Sequence, residues 1–169
     1  KDLQAEHQLD PGRTFVFGMS NGGYMSYTLA CEAYDVFRGI ASVTGTMSGY
    51  DWNNCDPPEP VPVLPIHGVN DRVVPIDGSM SAGGGWGGAP HVDEVVSFWA
   101  DLNRTTTIDS VFLAPSTYAF YYRNGQNGNE VWYHRIDDWG HEWPDSYDNT
   151  GTNANELIWL FFSNFLGTN

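Results

Sequence analysis

A chain of 169 residues, 41% of them hydrophobic, is long enough for one globular domain with its own core and too apolar for a disordered segment. Acidic residues outnumber basic ones 21 to 7, and the formal net charge of −14 repels phosphate backbones and anionic membranes, which excludes nucleic acid and membrane surfaces as partners. No apolar run approaches the ~18 residues that span a bilayer.

In chain order, residues 1 to 9 have helix-forming composition, and Asp10-Pro11-Gly12 ends that helix in a turn. Thr14-Phe15-Val16-Phe17 is a short apolar run of the kind that forms a fully buried strand, halted at Gly18. Tyr24 to Tyr34 is predicted helical, with Met25, Leu29 and Ala33 on one apolar face. Arg38 to Val43 is a second strand, followed by a Gly-, Asn- and Pro-rich excursion from Thr44 to Pro60. Val61 to His67 is a third strand, weakened by Pro62 and Pro65, which cannot donate to a ladder. The glycine-rich segment from Ser79 to Pro90 is a loop; without a P-loop lysine it is no phosphate cradle. Val92 to Leu102 is a helix, Tyr118 to Arg123 and Glu130 to Asp137 form an antiparallel hairpin, and Asn155 to Leu166 closes as an apolar helix. Strands alternating with helices predict an α/β architecture, mostly parallel, with helices on both faces.

The two cysteines, Cys31 and Cys55, are too few for a thiolate zinc site and lack redox spacing. A disulfide closing a loop of roughly 25 residues would contribute ~3 kcal/mol and imply an oxidising compartment; two reduced core cysteines are the alternative.

Gly18-Met19-Ser20-Asn21-Gly22 fits G-x-S-x-G where that motif has mechanical meaning, between a strand and a helix. The sharp turn presents the serine hydroxyl at the sheet edge beside a helix N-terminus, where free N–H groups favour developing negative charge. The Asn21 amide is the candidate oxyanion donor. The competing explanation is a serine that merely caps the helix. An alkoxide-forming serine needs a base, and the base an acid, both later in the chain. Asp71, in His67-Gly68-Val69-Asn70-Asp71 just after the third strand, is the acid, ahead of Asp77, and its own competing role is an Asx turn. His141 follows the last strand, with Gly140 expected to free the loop. His7, His67, His91 and His134 are poorer bases by position. His141-Glu142 does not begin a zinc motif, since Asp145 stands at the fifth position after Pro144. Serine chemistry of this kind needs no cofactor and no metal.

These stretches resemble the polyhydroxybutyrate depolymerase-like esterases, the branch of the α/β-hydrolases that includes feruloyl and acetylxylan esterases. The shared residues are Asp10-Pro11-x-Arg13, Gly18-Met19-Ser20-Asn21-Gly22-Gly23, Leu29-Ala30-Cys31, Pro62-Val63-Leu64-x-Ile66-His67-Gly68, Asp71-x-x-Val74-Pro75 and Gly140-His141-x-Trp143-Pro144. The resemblance implies an α/β-hydrolase fold, a triad of Ser20, Asp71 and His141, pairing of Cys31 with Cys55, and Trp143 in the acyl or aryl pocket. Met19 and Trp139 join Trp143 as candidate substrate contacts. Two departures stand out: the family's further cysteine is missing after Trp99-Ala100, and Pro144-Asp145 replaces Trp-Pro-Gly, adding a carboxylate expected to raise the basicity of His141. The family also has several strands before the nucleophile strand, which carry the second oxyanion donor. Residues 1–169 are therefore expected to be a single catalytic domain with the N-terminal strands of the fold missing, its first strand uncovered at one edge. Losing one oxyanion donor costs ~10²–10³ in turnover.

The function expected is hydrolysis of a carboxylic ester through an acyl-enzyme, in a secreted or periplasmic protein. A polyester such as poly-3-hydroxybutyrate or a short-chain ester ranks slightly above a feruloyl or acetylxylan group. The rival is a noncatalytic polymer- or carbohydrate-binding protein, suggested by seven tryptophans and nine tyrosines. A third alternative is a catalytically dead relative that keeps the ordered serine, aspartate and histidine.

Overall fold

The strands that carry the site owe their position to near-continuous apolar sequence, which is stable only with both sheet faces covered. Gly39–Val43 (β2) and Val63–Gly68 (β3) are buried along their whole length. The structure is a computed structural model describing residues 1–83 and 86–166; Gly84 and Gly85 of the predicted glycine-rich loop lie outside the described residues. With Phe15–Met19 (β1), Thr107–Ala114 (β4), Thr117–Arg123 (β5) and Val131–Ile136 (β6), the strands form one sheet in the order β1-β2-β3-β6-β5-β4. The four strands β1, β2, β3 and β6 run parallel, whereas β5 is antiparallel to both β6 and β4.

Alternate residues of each parallel strand feed two apolar clusters, one per face. Ile40, Val63 and Val131 meet Tyr27 and Ala30 of Asn21–Glu32 (α2) and Val95, Val96 and Trp99 of Val92–Leu102 (α4). Ala41, Val43, Leu64 and Ile66 meet Ile158, Phe161 and Phe162 of Ala154–Ser163 (α5) on the other side. Trp99 is fully buried and donates its indole N–H to Met47 Sδ at 3.3 Å, so truncating it would cost ~3–5 kcal/mol. His91 and Asn153 cap α4 and α5 by accepting backbone N–H bonds.

Several expectations need correction. β1 is an edge strand with every residue at least partly exposed, Phe17 by 55%, because it pairs only with β2 among the described residues. Helix α2 buries Tyr24, Tyr27 and Ala30 and leaves Met25 exposed: its N-terminal turn is held by glycines, and the rotation that lets Gly23 pack on Ser42 turns Met25 outward. Pro65 does sit in a central strand; pairing of β3 with β6 skips Leu64 and Pro65, where the missing N–H belongs. A short helix, Gly49–Asn54 (α3), was hidden by polar composition, and the strand β4 was not anticipated although Val111-Phe112-Leu113 is an apolar run within it. The first helix, Asp2–Glu6 (α1), is shorter than residues 1 to 9.

Candidate active site

The turn after β1 is built by steric exclusion. A Cβ on Gly18 would stand 2.6 Å from the Gly22 carbonyl carbon, so only glycine lets strand and helix cross there. Gly22 itself has open space around its Cβ position; the second steric demand falls on Gly23, which packs against Ser42 and Gly45. Ser20 adopts φ 54°, ψ −119°, a left-handed conformation that costs a non-glycine residue ~1–3 kcal/mol and clusters at functional sites. Two backbone bonds hold it: Ser20 N–H donates to Val43 O at 2.9 Å, and Tyr24 N–H donates to Ser20 O at 3.0 Å. Its hydroxyl makes no capping bond to α2, which removes the simple cap explanation. Thr44, at the adjacent strand end, also has positive φ (50°).

Asp71 follows β3 and is buried, with both oxygens engaged. Oδ1 accepts the Val73 and Val74 amides at 2.8 Å each, and Oδ2 accepts His141 Nδ1 at 2.8 Å. The Asx turn and the partnership with histidine are thus one arrangement: the turn orients the carboxyl group that meets the ring. Asp77 bonds the Ser79 amide instead. The loops after β3 and β6 are joined by Asn70 N–H donating to Trp139 O at 2.9 Å, and Gly68 is required because a Cβ there would collide with Trp139 and Gly140 carbonyls. Gly140 has free space and meets no such demand. Farther along the same loop, Trp143 packs 6.4 Å from Phe17 of β1, so the histidine loop reaches back across the sheet toward the strand that carries Ser20.

Asp71 and His141 are therefore in direct contact, and Ser20 stands at the same C-terminal edge of the parallel strands. No hydrogen bond links the Ser20 hydroxyl to the His141 ring among the described residues; such bonds commonly tighten only when substrate binds. The other histidines are held in other roles. His67 is buried in β3 and bonds Val74 O through Nε2 at 2.9 Å, the same nitrogen lying 4.0 Å from Asp71 Oδ2; burial pushes its pKa down. His134, inside β6, contacts Thr152 and is pushed down to about 4 by burial. His91 caps α4 and His7 ends α1. Asp145 accepts the Tyr147 amide, so its carboxyl group serves its own loop and not the His141 ring.

A cleft of about 520 Å³ opens beside the elbow, with Asn21, Tyr24, Met25, Thr28, Tyr50, Asp51 and Trp86 among its walls. Tyr24 meets Trp86 edge-on at 4.7 Å, and its hydroxyl is pushed up to about 12 by burial and by the Asp71 charge, which ties this end of the cleft to the acid. Met19, Trp139 and Trp143 lie apart from these walls, packed against the cluster under α5. Of these walls the sequence named only Asn21 as a site residue; Tyr24, Tyr50 and Asp51 were missed, and α3, which carries two of them, was hidden in a polar segment. Cys31 and Cys55 are disulfide-bonded, Cα atoms 5.1 Å apart, tying the last turn of α2 to the end of α3.

This frame has counterparts of known structure. An acetyl xylan esterase from Aspergillus awamori superposes with a TM-score of 0.67 at 12% identity, covering 95% of this chain and 62% of that one. MGS-M1, an alpha/beta hydrolase from a deep-sea metagenome library, superposes with a TM-score of 0.54 at 13% identity, covering 98% and 61%. The chain has the α/β-hydrolase fold. In sequence, the chain is similar to a probable feruloyl esterase C of Aspergillus terreus, 40% identical over 79 residues, or 46% of this chain and 28% of the relative. The matched region is thus under a third of that relative's length. The model of the prolyl oligopeptidase family matches residues 1–56, which include the elbow.

Proposed function

We propose that the chain is the triad-bearing part of a serine esterase that cleaves carboxylic esters through an acyl-enzyme. In this reading Ser20 Oγ attacks the ester carbonyl and His141 Nε2 takes its proton. Asp71 Oδ2 holds Nδ1–H and fixes the tautomer, and the Asn21 amide receives the oxyanion. His141 then protonates the departing alcohol, and a water activated by the same ring releases the acid. The observation that carries the reading is the 2.8 Å Asp71–His141 bond at the sheet edge where the strained Ser20 elbow stands.

The substrate we propose is a feruloyl or acetyl ester of plant cell-wall polysaccharide in preference to a polyester or short-chain ester. Support comes from the relatives' names and from the ring-lined cleft beside Asn21. The disulfide fits an extracytoplasmic location. The test is hydrolysis of chromogenic esters of graded acyl length by the full-length protein beside Ser20→Ala and His141→Ala. Each substitution should lower kcat by at least ~10³-fold with the circular dichroism spectrum unchanged. Equal turnover by wild type and Ser20→Ala would remove Ser20 from the chemistry, and binding of polysaccharide with no hydrolysis by any form would favour the noncatalytic alternative.

A further inference from the structure

Asp51 is a buried acid with half of its carboxyl group uncommitted. It lies in α3, is 5% exposed, and lines the cleft that begins at Asn21. Its Oδ2 accepts the hydroxyls of Thr28, at 2.8 Å, and Ser48, at 3.0 Å. Its backbone N–H is satisfied by Ser48 Oγ at 3.0 Å. Among the described residues Oδ1 has no hydrogen-bond partner, although a buried carboxyl oxygen is costly to leave unpaired. Oδ1 is also not among the side-chain oxygens sealed from solvent, so it can be reached from the cleft.

We infer that Asp51 is the specificity-determining residue of this cleft, accepting through Oδ1 a hydrogen bond from a hydroxyl carried by the ring of an aromatic acyl group. The inference rests on the esterase reading for the position of the ester at Ser20. The cleft walls suit a flat ring: Tyr24 and Trp86 meet edge-on, and Tyr50 stands exposed at the mouth. The distance suits it too. Helix α2 rises ~10 Å between Asn21, beside the elbow, and Thr28, which is bonded to Asp51, about the reach of an extended cinnamoyl-type group from its ester carbon to the far ring hydroxyl. An acetyl group would stop short of Asp51. The disulfide beside Asp51 fixes α3 against α2, so the acceptor is held in place before substrate arrives.

The experiment measures binding of three methyl esters to the full-length Ser20→Ala protein by tryptophan fluorescence: 4-hydroxycinnamate, cinnamate and 4-methoxycinnamate. Because no turnover is involved, the result is separate from the fate of the triad proposal. The hydroxylated ester should bind roughly 10-fold or more tighter than the other two, the methoxy ester failing because it has no proton to donate. Adding Asp51→Asn should collapse that ratio to about twofold or less. Three results would each overturn the inference: equal binding of hydroxy and methoxy esters, a preference that survives Asp51→Asn, or a fall in all three affinities with the ratio kept. The wild-type cleft decides the first without any variant at position 51. A fourth arm varies the alcohol, replacing methyl by a pentose; if discrimination follows the sugar hydroxyls and not the ring hydroxyl, the acyl assignment is wrong.

Discussion

The two halves of the sheet obey different rules. β2 and β3 are buried at every residue, and the loops at the C-terminal ends of the parallel strands hold the strained turn, the buried acid and the histidine. The outer strand of the β4–β5 hairpin is the opposite: Thr107 through Leu113 are all exposed, Ile108 by 57% and Phe112 by 56%, and among the described residues it contributes no side chain to the candidate site. Antiparallel pairing with a neighbour satisfies the hairpin's backbone without a second layer, whereas parallel strands persist only between covered faces. The lesson is that the candidate site sits where the backbone has least freedom, because there a turn can be forced into a conformation that a mobile loop would relax.

The most damaging change expected is at the crossing of β1 and α2. Gly18→Ala should abolish activity and destabilise by ~3 kcal/mol, because its methyl group meets backbone that cannot move aside. Gly22→Ala, in open space within the same motif, should be neutral or stabilising by ~0.5–1 kcal/mol. Urea denaturation of the pair would break the contrast if the two variants behaved alike.

Acid should find the buried half next. His134 titrates at about 4 in the folded chain against 6.5 when free, so the unfolded chain takes up its proton first as pH falls. Its contribution is complete above pH 6.5 and is lost progressively toward pH 4, amounting to about 3 kcal/mol, with His67 shifted in the same direction. Neutralising carboxylates relieves the repulsion of a −14 chain over the same range, so the clean measurement is the difference between wild type and His134→Gln in Tm at pH 7, 5 and 4. A parallel decline in both would remove His134 as the cause. The smallest effect belongs to the hairpin: Phe112→Ser, which loses a cross-strand ring contact with Tyr118 at 5.0 Å, should change stability by no more than about 1 kcal/mol and leave kcat/KM alone, as measured by denaturation and ester hydrolysis. A large loss of activity there would place the hairpin inside the working site and undo the comparison.

What could be read before folding, and what could not, divides along the range of the interactions involved. The alternation of strand and helix, the helix from Val92 to Leu102 and the G-x-S-x-G turn rest on neighbours a few residues apart, so sequence alone determined them. Sequence also placed Asp71 after the third strand and His141 after the last one; that these two strands are parallel neighbours was decided by the sheet topology. Tertiary structure decided which glycine is indispensable, since the clash at Gly18 depends on how α2 crosses β1. It turned Met25 outward and Tyr24 inward, drew Trp139 and Trp143 toward α5, and brought Asp51 beside Thr28, 23 residues away in the chain. Such contacts carry no local periodicity or turn signal; they arise from packing two layers on one sheet, and only the assembled core specifies which side chains then line the space beside Ser20.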